Sequence, residues 1–182
     1  IKWNGKTWIS YGDWLAAPRE RKYFVNPRVL VREITDQKGM ISAYTNEEYY
    51  NTPSIINIIN SSNNENLLKA VLSILNSKLV AWYHMHNSPK ARKGLFPKVL
   101  VDDIRNLKIG DKFREYENEL SLLANKLSDS YKKLDEFGEG SNQWNTTEIE
   151  IEKTSKQTDQ LVYKLYDLTP EEIAIVEGQT SK

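Results

Sequence analysis

The chain has 182 residues, 39% of them hydrophobic, and no cysteine. That length suits one medium domain or a small domain with an appendage; the lack of cysteine excludes a disulfide framework, and no apolar run is long enough to span a bilayer. The formal net charge is zero, which excludes a uniformly basic or acidic protein but conceals a dipole along the sequence.

Residues 1–68 hold 8 basic and 7 acidic side chains, residues 69–114 hold 10 and 3, and residues 115–182 hold 7 and 15. The middle block can attract an anionic partner whatever the total charge, and the acidic tail should point away from one. With no secretory signal in view, a cytoplasmic location is expected. The first residue is Ile1, so the chain reads as a fragment of something larger.

The opening Ile1-Lys2-Trp3-Asn4-Gly5-Lys6-Thr7-Trp8-Ile9 centres on Asn-Gly and predicts a hairpin. Pro18-Arg19-Glu20-Arg21-Lys22 reads as a polar basic loop. Residues 28–35 predict a strand, 36–39 a turn, 40–44 a return strand and 54–59 a further short strand. Asn63-Asn64-Glu65 opens a helix in which Leu67, Leu68, Val71, Leu72, Leu75, Leu79 and Trp82 recur at helical spacing. That helix is expected to run through Met85, with Trp82 in the core. Residues 87–94 break it, residues 95–101 read as a short extended piece that Pro97 either confines to a sheet edge or makes irregular, and Asp102-Asp103 reads as loop.

From Phe113 the pattern changes. Phe113, Tyr116, Leu120, Leu123, Leu127, Ser130, Leu134 and Phe137 step by three and four, a heptad seam with one polar position. Residues 138–143 make a loop, and a helical pattern resumes by Thr147 and runs to Leu168. Two long helices joined by a short loop should pack antiparallel. Thr169-Pro170-Glu171-Glu172 then supplies an N-cap, a proline at the first helical position and a glutamate to close a capping box, so a short helix follows with Ile173 and Val176 facing inward. The expected fold class is α+β: a mixed globular domain over residues 1–112, then a long antiparallel two-helix spacer with a short C-terminal helix over residues 113–182.

Little in the chain is catalytic in pattern. His84-Met85-His86 offers two histidines and no cysteine, short of the four ligands of structural zinc, and reads as a helix-end pair. Trp3, Trp8, Trp14, Tyr44 and Trp82 can stack on bases, although packing is the commoner role of such residues. No phosphate-cradling glycine loop and no nucleophile set is present, so no catalytic residue and no metal ligand is assigned.

Four segments carry a resemblance. The tail from Asp159 through Leu161-Val162-Tyr163, Leu165-Tyr166 and Leu168-Thr169 to Glu171-Glu172-Ile173 and Val176-Glu177 resembles the end of large adenine-methylating restriction-modification proteins. Arg28-Val29-Leu30-Val31-Arg32-Glu33-Ile34 is similar to the strand that opens the TaqI-like C-terminal specificity domain of such type IIG-like proteins. Leu72-Ser73-Ile74-Leu75-Asn76-Ser77-Lys78-Leu79 resembles its Leu-Asn-Ser helix, and Phe96-Pro97-Lys98-Val99 its Phe-Pro-Lys segment. Together they cover residues 14–109 and 154–177.

The resemblance implies a target-recognition domain with a helical spacer, binding double-stranded DNA on behalf of an upstream adenine methyltransferase domain, in some members joined to a nuclease. S-adenosylmethionine, with Mg as a further candidate, belongs to that parent; no cofactor is expected in this fragment. The methyltransferase hallmark Asn-Pro-Pro-Tyr is absent, Asn26-Pro27 being followed by Arg28. DNA is gripped mainly through phosphates by Lys, Arg and backbone amides, which nominates Arg19, Arg21 and Lys22 in the first basic loop, Arg28 and Arg32 on one strand face, and Lys90, Arg92, Lys93 and Lys98 after the central helix. The rival is a protein–protein adaptor that self-associates through the Phe113–Phe137 seam without binding DNA.

Overall fold

A computed structural model describes residues 10–35, 39–92 and 97–178. Three strands, β1 (Arg28–Arg32), β2 (Ser42–Thr45) and β3 (Ile55–Ile59), form an antiparallel sheet in the order β2-β1-β3. Among the described residues, eight helices stand around them: α1 (Lys22–Val25), α2 (Glu65–Leu75), α3 (Lys78–Asn87), α4 (Pro89–Arg92), α5 (Val101–Arg105), α6 (Phe113–Glu136), α7 (Asn142–Leu165) and α8 (Pro170–Val176). The class is α+β, as the sequence predicts. The predicted Asn4-Gly5 hairpin lies outside the described residues.

β1 is central because Arg-Val-Leu-Val-Arg alternates. Val29 and Val31 are fully buried on one face, packed towards α2. β2 and β3 both run antiparallel to β1, with Leu30 opposite Ala43 on one side and Asn57 on the other. The connection over residues 46–54 must therefore cross from one sheet edge to the other. It passes over the face that carries Arg28, because the Arg28 guanidinium donates to the main-chain oxygens of Glu47 and Tyr49, at 2.9 and 3.0 Å. Phe24, wholly buried, stacks on Tyr50 at 4.6 Å and meets Tyr11 edge-on at 5.4 Å, holding the segment before β1 to the same crossover.

The leucine stripe from Leu67 to Trp82 belongs to two helices, where the sequence reading expected one. Asn76 ends α2 and Ser77 starts α3: the Ser77 hydroxyl accepts the Val80 amide and donates to the Ile74 carbonyl. The side chain of Asn76 is occupied elsewhere, accepting the Ser42 N–H and donating to the Ser42 carbonyl at 3.1 and 3.2 Å. It thus substitutes for a strand neighbour at the outer edge of β2. Trp82 is half-buried and stacks on His86 at 4.4 Å, so it is not a core residue.

α6 and α7 pack antiparallel, as the short loop between them requires; Lys126 reaches Glu150 across the pair. Phe113, Leu120 and Ser130 of the heptad seam are buried, and Tyr116 and Leu123 pack against the same core. α7 starts at Asn142, earlier than expected, because Ser141 caps it by accepting the Trp144 amide at 3.1 Å. It ends at Leu165, three residues short of the expected Leu168. Asp167 takes a left-handed conformation (φ 52°), and the amides of Asp167 and Leu168 close on the carbonyls of Lys164 and Tyr163 in a Schellman turn. The Thr169–Glu172 capping box forms as predicted, bonded in both directions.

One hydrophobic core runs through both parts of the chain. Val29 and Val31 of the sheet, Leu68 and Leu72 of α2, Leu120 and Ala124 of α6, and Leu161 and Leu165 of α7 all belong to it. Polar links reinforce the joint. The Ser73 hydroxyl donates to the Leu120 carbonyl at 2.8 Å, and Tyr166 donates to the carbonyl of Lys108 at 2.8 Å. Gly110 lies so close to the end of α7 that a Cβ there would sit 2.5 Å from the Leu165 carbonyl oxygen. Among the described residues, no helix is long and apolar enough to cross a membrane.

Candidate nucleic-acid interface

The basic residues nominated from sequence fall into two groups, at opposite ends of β1. Arg19, Arg21 and Lys22 lead into the Arg28 end. Arg21 pairs with Glu48 through two parallel contacts, Nε–Oε1 at 3.1 Å and Nη2–Oε2 at 2.9 Å. Hydrogen bonding and attraction from that carboxylate hold the Arg21 guanidinium above its ordinary value. Lys22 pairs with Glu20 at 2.8 Å and lies over the Tyr23 ring. The Arg19 main chain is fixed by Tyr11, whose hydroxyl accepts the Arg19 amide at 2.6 Å.

The second group gathers at the Arg32 end. Val99 donates to the Glu33 carbonyl at 2.8 Å and Thr35 donates to the Pro97 carbonyl at 3.0 Å, so residues 97–99 continue the sheet beyond β1. Lys98 Nζ meets Glu33 at 3.0 Å, and the Lys98 amide reaches the Lys90 carbonyl at 3.4 Å. Lys90 and Arg32 are exposed. Arg92 ends α4, and Lys93 lies outside the described residues. β1, about 13 Å long at about 3.3 Å per residue, lies between the segments that carry the two groups.

Arg28 requires a correction. Strand alternation does place it on the same face as Arg32, but the crossover covers it and it is completely buried. Its guanidinium donates to the carbonyls of Asn26, Glu47 and Tyr49. Burial lowers its proton affinity, with Glu48 opposing. A cation committed to three main-chain oxygens under a covering segment is a structural tie that holds the crossover, and it does not reach a phosphate. The sequence shows the alternation but not what lies over the strand.

The polar layer beneath the crossover contains amides that the sequence reading passed over. Asn57, directly opposite Leu30, has both side-chain polar atoms buried without a hydrogen-bond partner, as are Asn51 Oδ1 and Arg28 Nε. An asparagine inside Ile55-Ile56-Asn57-Ile58-Ile59 was the available signal, since a polar residue in an apolar strand needs a reason.

His84 and His86 diverge. His86 stacks on Trp82, whereas His84 is buried, with Nδ1 3.7 Å from Asp103. Burial lowers the His84 ring below its ordinary value, against the pull of Asp103 and the Lys98 backbone, so it is neutral at neutral pH. Asp102 and Asp103 lie in α5, not in a loop, and Asp103 accepts the Leu100 amide at 2.8 Å. Among the described residues no three His, Cys, Asp or Glu side chains gather as metal ligands.

The tail motif closes the fold. Asp159 accepts the Lys78 amide at the start of α3, at 2.9 Å. Glu177 receives the Tyr163 hydroxyl at 2.8 Å and the Lys78 ammonium at 2.5 Å. Burial alone would raise the Glu177 carboxyl, but Lys78 and Tyr163 outweigh it and hold the group below its usual value. These residues tie α7 and α8 to α3.

A three-stranded antiparallel sheet with a basic segment at each end of its central strand, backed by helices, defines an α+β domain. Residues 1–109 match the model of the TaqI-like C-terminal specificity domain. The chain therefore belongs to that family, the specificity domains of TaqI-like restriction-modification proteins, and the family implies DNA as its partner. The matched residues stop short of α6. No curated protein matches the chain.

Proposed function

We propose that this chain recognises a specific sequence in double-stranded DNA as the non-catalytic specificity part of an adenine-specific restriction-modification methyltransferase. The observation that carries the reading is the family membership over residues 1–109. The charge layout supports it. Basic segments lie at both ends of the central strand, and Lys and Arg on such segments are the side chains that grip duplex phosphates. An upstream methyltransferase domain, supplied with S-adenosylmethionine, would flip and modify the adenine of the selected site.

Within this reading Lys90, Arg92, Lys93 and Arg32 are the principal phosphate-binding residues. Arg21, Lys22 and Lys98 contribute less, each being paired with a carboxylate. The acidic α6–α7 hairpin sets the distance to the catalytic part. An adaptor acting through the whole Phe113–Phe137 seam is disfavoured, because the first half of that seam, Phe113, Tyr116, Leu120 and Leu123, is spent on the protein's own core. Neutralising Arg92 and Lys93 together is expected to weaken duplex binding and to flatten its dependence on salt, by roughly one unit of slope for each phosphate no longer neutralised. An unchanged slope would remove the 88–98 segment from the interface.

A further inference from the structure

We propose that Trp14, at the tip of the loop formed by residues 12–18, enters the base stack of duplex DNA as an apolar wedge, with Arg19 at the foot of the loop on a flanking phosphate; this deepens the DNA-binding reading and rests on it. The loop presents four consecutive apolar residues, Trp14, Leu15, Ala16 and Ala17, and all four are exposed. Trp14 is 71% exposed. A single exposed apolar side chain needs no explanation, but a run of them at one tip leaves apolar area in water that only a partner can cover. The other aromatic residues suited to stacking on bases are engaged elsewhere. Trp82 is half-buried on His86, and the half-buried Tyr44 ring lies beneath Lys69. Trp3 and Trp8 lie outside the described residues.

The loop is held in place from its foot to its tip. The Tyr11 hydroxyl accepts the Arg19 amide at 2.6 Å and donates to the Arg19 carbonyl at 3.1 Å, which closes the loop at its foot. The Tyr11 ring packs on Tyr50 at 4.5 Å and edge-on to the buried Phe24 at 5.4 Å, so that foot is tied to the sheet half. Near the tip the Leu15 amide donates to the Gly12 carbonyl at 3.1 Å. The indole lies against Gly12: a Cβ there would come 2.2 Å from its ring, so the missing side chain makes the room it occupies. An aromatic side chain held this way has little freedom left to lose on binding. The charges beside it favour a duplex. Arg19, Arg21 and Lys22 follow the tip directly; of the acids in the stretch, Glu20 is held by Lys22 and Asp13 stands on the loop itself. Arg21 is paired with Glu48, whereas Arg19 has no carboxylate partner among the described residues. An apolar side chain that parts a base step while neighbouring cations hold the phosphates is how wedge-bearing proteins kink DNA. It needs no particular base, since every base has a π-face.

The test uses the whole chain and a duplex of random sequence in which 2-aminopurine, dim while stacked, replaces some of the adenines. The unsubstituted chain is expected to brighten the probe as a base step opens. Trp14→Ala should bind at least about fivefold more weakly and lose the brightening even at saturating protein. It should keep the salt slope, because no phosphate contact has been removed. Trp14→Phe, which retains a stacking ring, should recover most of the affinity and the brightening. Because the side chain is exposed, both variants should keep the urea midpoint of the unsubstituted chain, so a change in binding is not a change in folding. Unaltered affinity and brightening in Trp14→Ala would overturn the wedge while the DNA-binding reading stands, and so would binding of the unsubstituted chain without brightening. Failure of the unsubstituted chain to bind any duplex would overturn the DNA-binding reading itself, and the wedge with it.

Discussion

The sheet half and the helical half of this molecule satisfy their polar groups in different ways. In the helical half α7 and α8 close themselves. Ser141 caps α7, Thr169 and Glu172 cap α8, and the Schellman turn at Asp167 finishes α7. In the sheet half, irregular segments leave carbonyls that no neighbouring strand can bond, and one buried arginine serves three of them. Regular structure distributes its hydrogen bonds over many residues. An irregular crossover concentrates them on one multi-donor side chain, so a single substitution should cost more there than at a helix cap.

The largest expected effect concerns what the halves share. Leu120→Ala empties a fully buried position where α6 meets the common core and should cost about 2–5 kcal/mol. Because the core is continuous, urea unfolding followed by tryptophan fluorescence and by helical circular dichroism should shift together. Separate transitions would mean that the halves fold independently.

Arg28→Met should cost about 3 kcal/mol, since three main-chain acceptors lose a charged donor. Ser141→Ala should cost about 1 kcal/mol, the usual value for an N-cap. Denaturant titrations of the two variants measure the contrast directly, and equal losses would break it.

The smallest effect is a pH dependence. Burial raises the Asp159 carboxyl above the ordinary carboxylate range; the Lys78 amide and ammonium oppose this and Glu177 adds to it. The folded state therefore binds more protons than the unfolded state between the ordinary carboxylate value and the raised one, and stability falls as pH rises through that window. Above the raised value the penalty is constant. Asp159→Asn should remove this slope while keeping an acceptor for the Lys78 amide. A urea midpoint series across acidic pH checks it, and a variant with the parent slope would contradict the assignment.

Much of this architecture is legible in the sequence where its causes are local. β1, α6 and α8 follow from alternation, heptad spacing and a capping box, all within a few residues. The break at Asn76-Ser77 is harder, because the leucine stripe continues across it and the reason for the break, the bond from Asn76 to Ser42, comes from 34 residues away. Asp167 ends α7 in a conformation more often taken by glycine, so its composition gives no warning. The candidate interface is legible only in part. The basic residues and the shared face of Arg28 and Arg32 follow from spacing, but the crossover that buries Arg28 does not. Nor does the bond from Ser88, at the end of α3, to Asp103 in α5.

The most direct test of the central claim is selection. The chain is incubated with a pool of randomised duplex DNA over a range of salt, and the retained molecules are sequenced. Specific recognition predicts enrichment of one short motif containing adenine, with affinity that falls as salt rises. Absence of binding even at low salt would contradict it.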